Sequence, residues 1–316
     1  MSAAWRPEAK LAVLERRAQM NRATRRYFEE RNVLEVDTPA LSRYAVTDPN
    51  LHSLVATDPG WTNEQWFLHT SPEFGMKRLL AAGAPDIYQL CHVFRGGESG
   101  RQHQREFTML EWYRLGYDLE AIIQNTLELI LEVSQKPLRV QRLSYREALL
   151  LYSKLDIFNL DVQALNQRVN AAGLDTDLSL DAKLDWLMVT DVLPGFQDDQ
   201  LTVLNHYPAS QAALARLHTA DERVADRFEV FYGAMELANG FVELCDANEQ
   251  QQRFENEQRQ RREQGATPLD IDPEFISALQ HGLPECAGVA LGMDRLLMLI
   301  TGNRDISDVM SFPSPV

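Results

Sequence analysis

The sequence predicts an α+β fold in which an antiparallel sheet is packed by helices. Three observations lead there. Residues 107–114 (FTMLEWYR) alternate as a strand does and follow a second apolar run, residues 86–93, across a long polar loop, which describes two antiparallel strands. Apolar residues recur at helical spacing near both ends of the chain and through its middle. The strand-like runs lack the regular β-helix-β alternation of a parallel sheet, and no internal repeat is present. With 316 residues and 45% hydrophobic content, the chain can bury a sizeable core. One domain spanning 1–316, with a helical insertion at about 118–195, is the expected organisation.

Residues 7–32 read as a helix: Pro7 suits a first turn, and Leu11, Leu14, Ala18 and Phe28 recur at helical spacing. Its Arg-rich remainder reads as a solvated face. Residues 33–36 form a short strand broken by Thr38-Pro39, and 45–62 form a polar loop with two Pro and one Gly. Residues 66–69 are a strand. Ser71-Pro72-Glu73 then opens a helix through Leu80, with Ser71 as N-cap and Pro72 at the first position. Residues 118–134, 144–155, 161–172 and 181–192 read as helices without a chemical motif. A strand at 201–206 ends at Tyr207-Pro208, and 227–244 holds two adjoining extended runs. Residues 246–265 are polar nearly all round, with Glu249 and Arg253 at the helix-supporting i, i+4 spacing, and read as a solvated helix. A short helix at 273–281, a strand at 288–291 and an apolar helix from Met293 complete the chain.

The loop after Phe94 carries Arg95, Arg101, His103 and Arg105, and the period of two puts Phe107, Met109, Glu111 and Tyr113 on one face of the next strand. A fixed Arg beside mobile cations suits a polyphosphate, and a flat aromatic suits a nucleobase. Glu229 and Glu236 stand in extended runs among apolar neighbours, where a carboxylate needs a cation or a metal ion as partner. Asn239, Phe241 and Glu243 alternate onto one face. Glu73 has two readings, a partner of the helix dipole or a substrate contact. Arg295 lies in the first turn of the last helix, where the dipole also favours an anion.

The formal net charge of -15 counts against a grip on a nucleic acid backbone, although an acidic chain can still carry a basic patch. Cys91, Cys245 and Cys286 are odd in number and show no CxxC spacing, which indicates neither a zinc site nor a disulfide framework and suits a reducing cytoplasm. The N-terminus lacks the pattern of a signal peptide, and no apolar run approaches the roughly 20 residues that span a bilayer.

Residues 94–114 (FRGGESGRQHQREFTMLEWYR) resemble motif 2 of the class II aminoacyl-tRNA synthetases, in their lysyl subclass. Asn32-Val-Leu-Glu-Val-Asp-Thr-Pro39-Ala-Leu resembles motif 1, whose Pro sits at the family's dimer interface, and Gly288-Val-Ala-Leu-Gly292-Met-Asp-Arg295 resembles motif 3. Glu236-Leu-Ala-Asn239-Gly-Phe241-Val-Glu243-Leu is similar to the lysyl subclass between them. The likeness covers nearly the whole chain. It is closest to the short, free-standing ligases that lack an anticodon-binding domain and load (R)-β-lysine onto a lysine of elongation factor P.

The resemblance implies the class II catalytic fold, a homodimer through the motif 1 region, and adenylate formation from ATP with Mg²⁺. Arg95 would hold the α-phosphate and the substrate carboxylate. His103 and Arg295 would take the γ-phosphate end, with Arg95 and Arg295 as the catalytic cations. Phe107 would stack on adenine, Arg295 would cover its other face, Glu229 and Glu236 would hold Mg²⁺, and Glu236 would also touch ATP. Glu73, Glu111, Tyr113, Asn239 and Glu243 would meet a dicationic amino acid, with Phe241 over its stem and Ala290 lining the same pocket.

Three departures stand out. The acid that the family carries two residues after the motif 2 Arg is Gly97 here, and Glu98 is expected to take over its contact with ATP after a turn at Gly96-Gly97. The Asn-Pro that usually follows the loop His is Gln104-Arg105. Ala290 stands where lysyl-tRNA synthetases have Gly, as in the free-standing ligases. Two other readings are a stand-alone lysyl-type synthetase that charges tRNA with α-lysine, and a non-catalytic paralogue acting as a regulatory subunit. The first lacks a stretch of about 100 residues before motif 1 for an anticodon-binding domain. The second rests on Gly97, against the retention of Arg95, Glu229, Glu236 and Arg295.

Overall fold

The computed structural model describes residues 5–58, 60 and 65–314; residues 1–4 of the N-terminal segment and 59, 61 and 62 of the expected loop lie outside the described residues. Two compact units form, Met1–Lys136 with Glu243–Val316, and Pro137–Val242.

The first unit opens with α1 (Leu11–Glu29). Its first turn comes four residues later than Pro7 suggests, because the Glu8 and Ala9 N–H groups pair with Ser311 O and Met310 O of the C-terminal segment. A short β1 (Leu34–Glu35) follows. A small sheet then forms from β2 (Leu41–Ser42), β3 (Val55–Ala56) and β4 (Trp66–Leu68), in the order β2-β4-β3. Strand β3 lies within the stretch expected to be loop. Helix α2 (Glu73–Ala81) starts one residue later than expected, with Pro72 at the N-cap; the Ser71 hydroxyl still accepts from the Glu73 N–H at 3.5 Å. The motif 2 strands are β5 (Ile87–Phe94) and β6 (Glu106–Leu115), antiparallel, with Gln89 opposite Glu111 and Ile87 opposite Tyr113. Helix α3 (Leu119–Ser134) completes this segment, capped by the Asp118 side chain.

In the second unit, β7 (Arg139–Ser144) leads into α4 (Tyr145–Ala148), which runs on as a π-helical turn at Leu149–Ser153. Helices α5 (Val162–Ala171) and α6 (Leu180–Leu187) follow, each capped by the residue before it, Asp161 and Ser179. Strands β8 (Gln200–Pro208), β9 (Leu217–His218), β10 (Asp221–Tyr232) and β11 (Met235–Val242) finish the unit. The core between helices and strands includes Tyr145, Leu165, Leu184, Phe196, Tyr207 and Phe231. Of the helices expected at about 118–195, α3 belongs to the first unit and the rest to the second, which carries its own strands.

The chain then returns to the first unit with α7 (Ala247–Glu263), α8 (Pro273–Gly282), β12 (Cys286–Gly292) and α9 (Met293–Thr301). Strand β12 pairs antiparallel with β6 and places Gly288 opposite Tyr113 and Ala290 opposite Glu111. Trp112 is buried against Phe28 of α1 and donates to Asn125 of α3, so the odd-numbered side chains of β6 project from the opposite face. Helix α7 is less solvated than its composition suggests: Phe254 meets Phe275 of α8, and Arg261 donates to Thr267 O and Asp48 O.

The fold is α+β, with one amendment to the expected sheet. The pairs β1–β5 and β7–β8 are parallel. Each is joined by a connection long enough to carry a helix across, which parallel pairing requires.

Candidate active site

In the first unit, three strands and a helix build a buried acidic pocket. Glu111 and Tyr113 rise from β6, with Gln89 beside Glu111 on β5 and Ala290 beside it on β12. The Tyr113 hydroxyl donates to Glu111 Oε1 at 2.7 Å. Glu243 follows its N–H bond to Cys286 O, and its carboxylate lies against Gly288. A Cβ added at Gly288 would come within 2.5 Å of Glu243 Oε1 and 2.4 Å of the Tyr113 ring, so only glycine allows this approach.

Lys77 of α2 enters the same space. It is 1% exposed, and its ammonium pairs with Glu73 at 2.7 Å and Glu243 at 2.5 Å. Burial alone would depress its pKa, but the two carboxylates more than offset that and raise it. Glu111 and Glu243 are both pushed up, chiefly by burial and further by Glu73. Glu111 Oε2 and Gln89 Nε2 are buried without hydrogen-bond partners.

Lys77 and Gln89 were not among the expected site residues. Lys77 reads in sequence as one more helical cation. Gln89 had a signal, a lone amide inside an apolar run. Its Oε1 accepts from Thr38 of motif 1 at 2.9 Å, which ties that motif to the pocket wall.

A prediction follows from Glu111. A buried carboxyl whose folded pKa is raised supports folding below its ordinary value and opposes it as pH rises through the raised value. Glu111→Gln removes that dependence while keeping an acceptor for Tyr113. Between pH 5 and pH 8 the variant should therefore gain stability relative to the parent, by roughly 1–3 kcal/mol. Urea denaturation at the two pH values measures this, and a pH-independent difference would remove the electrostatic account.

The phosphate-binding elements expected from motif 2 also lie in this unit. Arg95 donates to Thr70 O at 3.3 Å, and its guanidinium sits 5.2 Å from the Phe107 ring centre. Glu98 stands 3.8 Å from Arg95. Gly97 has φ +79°, a conformation that favours glycine, so the departure from the family acid coincides with a turn. The Gly96 N–H donates to His52 O at 2.6 Å, which anchors the turn from below. Gly100 and His103 pair across the loop tip. Arg295 Nε donates to Gln102 O at 3.1 Å and so meets the same loop.

Asp294 was also missed. It is 2% exposed, is ion-paired with Arg17 of α1, and accepts from the Thr108 N–H at 2.7 Å. It fixes the start of α9, and with it Arg295, to β6. Arg17 therefore belongs to this network rather than to a solvated face.

In the second unit, Glu229 and Glu236 stand on the β10–β11 hairpin, with Asn239 opposite Glu229 and Phe231 opposite Glu236. Burial raises the Glu229 pKa; Arg227, bound at 2.6 Å, opposes the rise, and the neighbouring Glu236 adds to it. Two carboxylates on one hairpin, each felt by the other, form an oxygen-rich set of the kind a hard divalent ion such as Mg²⁺ prefers. Asn239 Oδ1 is buried without a hydrogen-bond partner. Phe241 lies opposite Arg227 and packs on an Ala212, Ala215 and Ala225 cluster.

The paired motif 2 strands, the motif 3 strand and helix, and the acidic pocket between them define a class II synthetase catalytic unit. Residues 2–315 match the family tRNA synthetases class II (D, K and N), and the chain belongs to it. Its relatives are more specific. A protein of Pectobacterium carotovorum subsp. carotovorum (strain PC1), named elongation factor P–(R)-β-lysine ligase, is 44% identical over 316 residues, 98% of this chain and 97% of its own. Relatives with the same name from Hamiltonella defensa subsp. Acyrthosiphon pisum (strain 5AT) and Salmonella typhi are each 43% identical over 319 residues, covering 99% and 98% of this chain and 98% of their own length.

Proposed function

We propose that the chain is an ATP-dependent elongation factor P–(R)-β-lysine ligase, which activates (R)-β-lysine as an adenylate and transfers it to a lysine side chain of elongation factor P. The observation that carries this reading is the charge of the first unit's pocket. Glu73, Glu111 and Glu243 face a single ammonium, that of Lys77, which leaves two negative charges when all are ionised. A lysine isomer brings two ammonium groups, which is the matching ligand. The like-named relatives, similar along nearly their whole length, support the same reading.

In this reading the substrate carboxylate attacks the α-phosphorus of ATP, the bond from that phosphorus to the bridging β-phosphate oxygen breaks, and pyrophosphate leaves. The acceptor lysine amine then attacks the adenylate carbonyl and releases AMP. Arg95 orients the carboxylate and the α-phosphate and stabilises the charge that develops. Phe107 stacks on adenine with Arg295 over its other face, Glu98 contacts the nucleotide, and His103 and Arg295 bind the γ-phosphate end. Mg²⁺ on Glu229 and Glu236 supplies further neutralisation of phosphate charge when bound. Tyr113, Asn239 and Phe241 complete the amino-acid contacts. The enzyme works in the cytoplasm as a homodimer through the motif 1 region. Among the described residues no helix is long and apolar enough to cross a membrane.

The test offers enzyme, ATP and labelled β-lysine both elongation factor P and bulk tRNA. Label should appear in the protein. Label in tRNA instead would replace this reading with the synthetase one, and absence of pyrophosphate exchange with any lysine isomer would overturn both.

Ala290 lies opposite Glu111, so its methyl points onto the pocket face. Moving an amino group from the α to the β carbon displaces it by one carbon, a difference worth about 1–3 kcal/mol in a packed pocket. Ala290→Gly should raise kcat/KM for α-lysine relative to β-lysine by about 10-fold or more. An unchanged ratio would show that Ala290 does not select the isomer.

A further inference from the structure

A second cluster of metal-binding side chains lies in the second unit, and no step of the proposed reaction uses it. His206 lies two residues before the end of β8, His218 lies on β9 and Asp226 on β10, and strand pairing brings the three together. Their candidate ligand atoms all lie within 4.8 Å of one another. His218 Nδ1 is 2.7 Å from Asp226 Oδ1, and the two imidazoles meet edge to face at 4.9 Å between centres. Asp226 is 2% exposed, and its other oxygen accepts from Arg216 Nε at 2.9 Å.

The geometry points to a binding site for a divalent transition metal of the zinc class, held by His206, His218 and Asp226. Two imidazoles and one carboxylate form a set suited to such ions, whereas Mg²⁺ prefers oxygen alone. Ligands at about 2.1 Å from a common ion lie about 3 Å or slightly more apart, so the His218–Asp226 pair needs to open by only about half an ångström. Arg216 holds the second carboxylate oxygen, as outer partners do at metal sites. The backbone supplies a second observation. His206 has φ +52°, in the left-handed region that favours glycine, and this conformation sets its ring against His218. A non-glycine residue there costs about 1–2 kcal/mol, and a bound metal would return more than that. His218 and Arg216 already engage both oxygens of Asp226, so hydrogen bonding to Asp226 does not explain why His206 is held in this way.

The test uses the full chain, stripped with chelator and dialysed, and titrated with Zn²⁺ by calorimetry with metal content measured in parallel. One equivalent should bind, and binding should raise Tm. His206→Ala and His218→Ala should each weaken the affinity by more than about tenfold. His206→Gly separates ligation from architecture: it should raise the Tm of the metal-free protein by relieving the backbone, yet abolish the zinc-dependent increase. Circular dichroism checks that each variant is folded. Substoichiometric binding to the parent, equal affinity in the histidine variants, or a zinc-dependent Tm rise that survives in His206→Gly would each overturn the assignment.

Discussion

Lys77→Met should leave the chain markedly less stable at pH 8 and much less so at pH 5.5. Methionine fills most of the volume of the lysine stem but removes the ammonium that Glu73 and Glu243 share at 2.7 and 2.5 Å. Breaking a buried ion pair by deleting one partner costs about 3–5 kcal/mol, because the remaining charge is stranded in a poorly solvated site. The pH dependence has a definite sign. Lys77 has a raised folded pKa, so in the parent it stays charged throughout this range and its contribution is not lost. In the variant Glu243 must either ionise unpaired or take a proton, and its already raised pKa makes protonation easier on the acidic side. Denaturant midpoints at the two pH values measure the effect. Equal losses at both would mean that Lys77 acts through packing alone. The variant should also lose lysine-isomer-dependent pyrophosphate exchange, since the pocket that remains carries the wrong charge.

Arg295→Ala should lower pyrophosphate exchange by about 10²–10³-fold or more while changing stability by less than about 1 kcal/mol. The side chain is partly exposed and its Nε bonds the Gln102 carbonyl in the motif 2 loop. The packing of α9 rests instead on Leu296, Leu297, Met298 and Leu299, all buried. Asp294, which anchors the helix to α1 and β6, is untouched by the change. Activity should therefore fall without a matching fall in Tm. Exchange at the parental rate would remove Arg295 from the catalytic group. A parallel loss of Tm would recast it as a structural residue.

The sequence by itself determined what depends on local pattern. The period of two in residues 107–114 put Glu111 and Tyr113 on one face, and the structure keeps them there with the Tyr113 hydroxyl on the carboxylate. The two glycines after Arg95 marked a turn, and Gly97 takes the positive φ that only such a residue adopts cheaply. The helices at 119–134, 273–282 and 293–301 were legible because each carries an apolar stripe, the first two with an Asp cap as well.

Tertiary structure alone decided the rest, because it depends on what lies across space. Nothing local distinguishes Arg17 or Lys77 from other helical cations. One is ion-paired to Asp294, 277 residues away, and the other is sunk between Glu73 and Glu243. Pro7 marks a helix start by local preference, but long-range backbone pairing with Met310 and Ser311 delays it to Leu11. The pairs β1–β5 and β7–β8 became parallel because strand direction is set by the route of the connecting chain, which no strand's own residues encode. The histidine pair of the second unit shows the same limit. His206 and His218 lie 12 residues from each other and fit no metal-binding motif in sequence; β10, paired with both β8 and β9, brings them to one carboxylate.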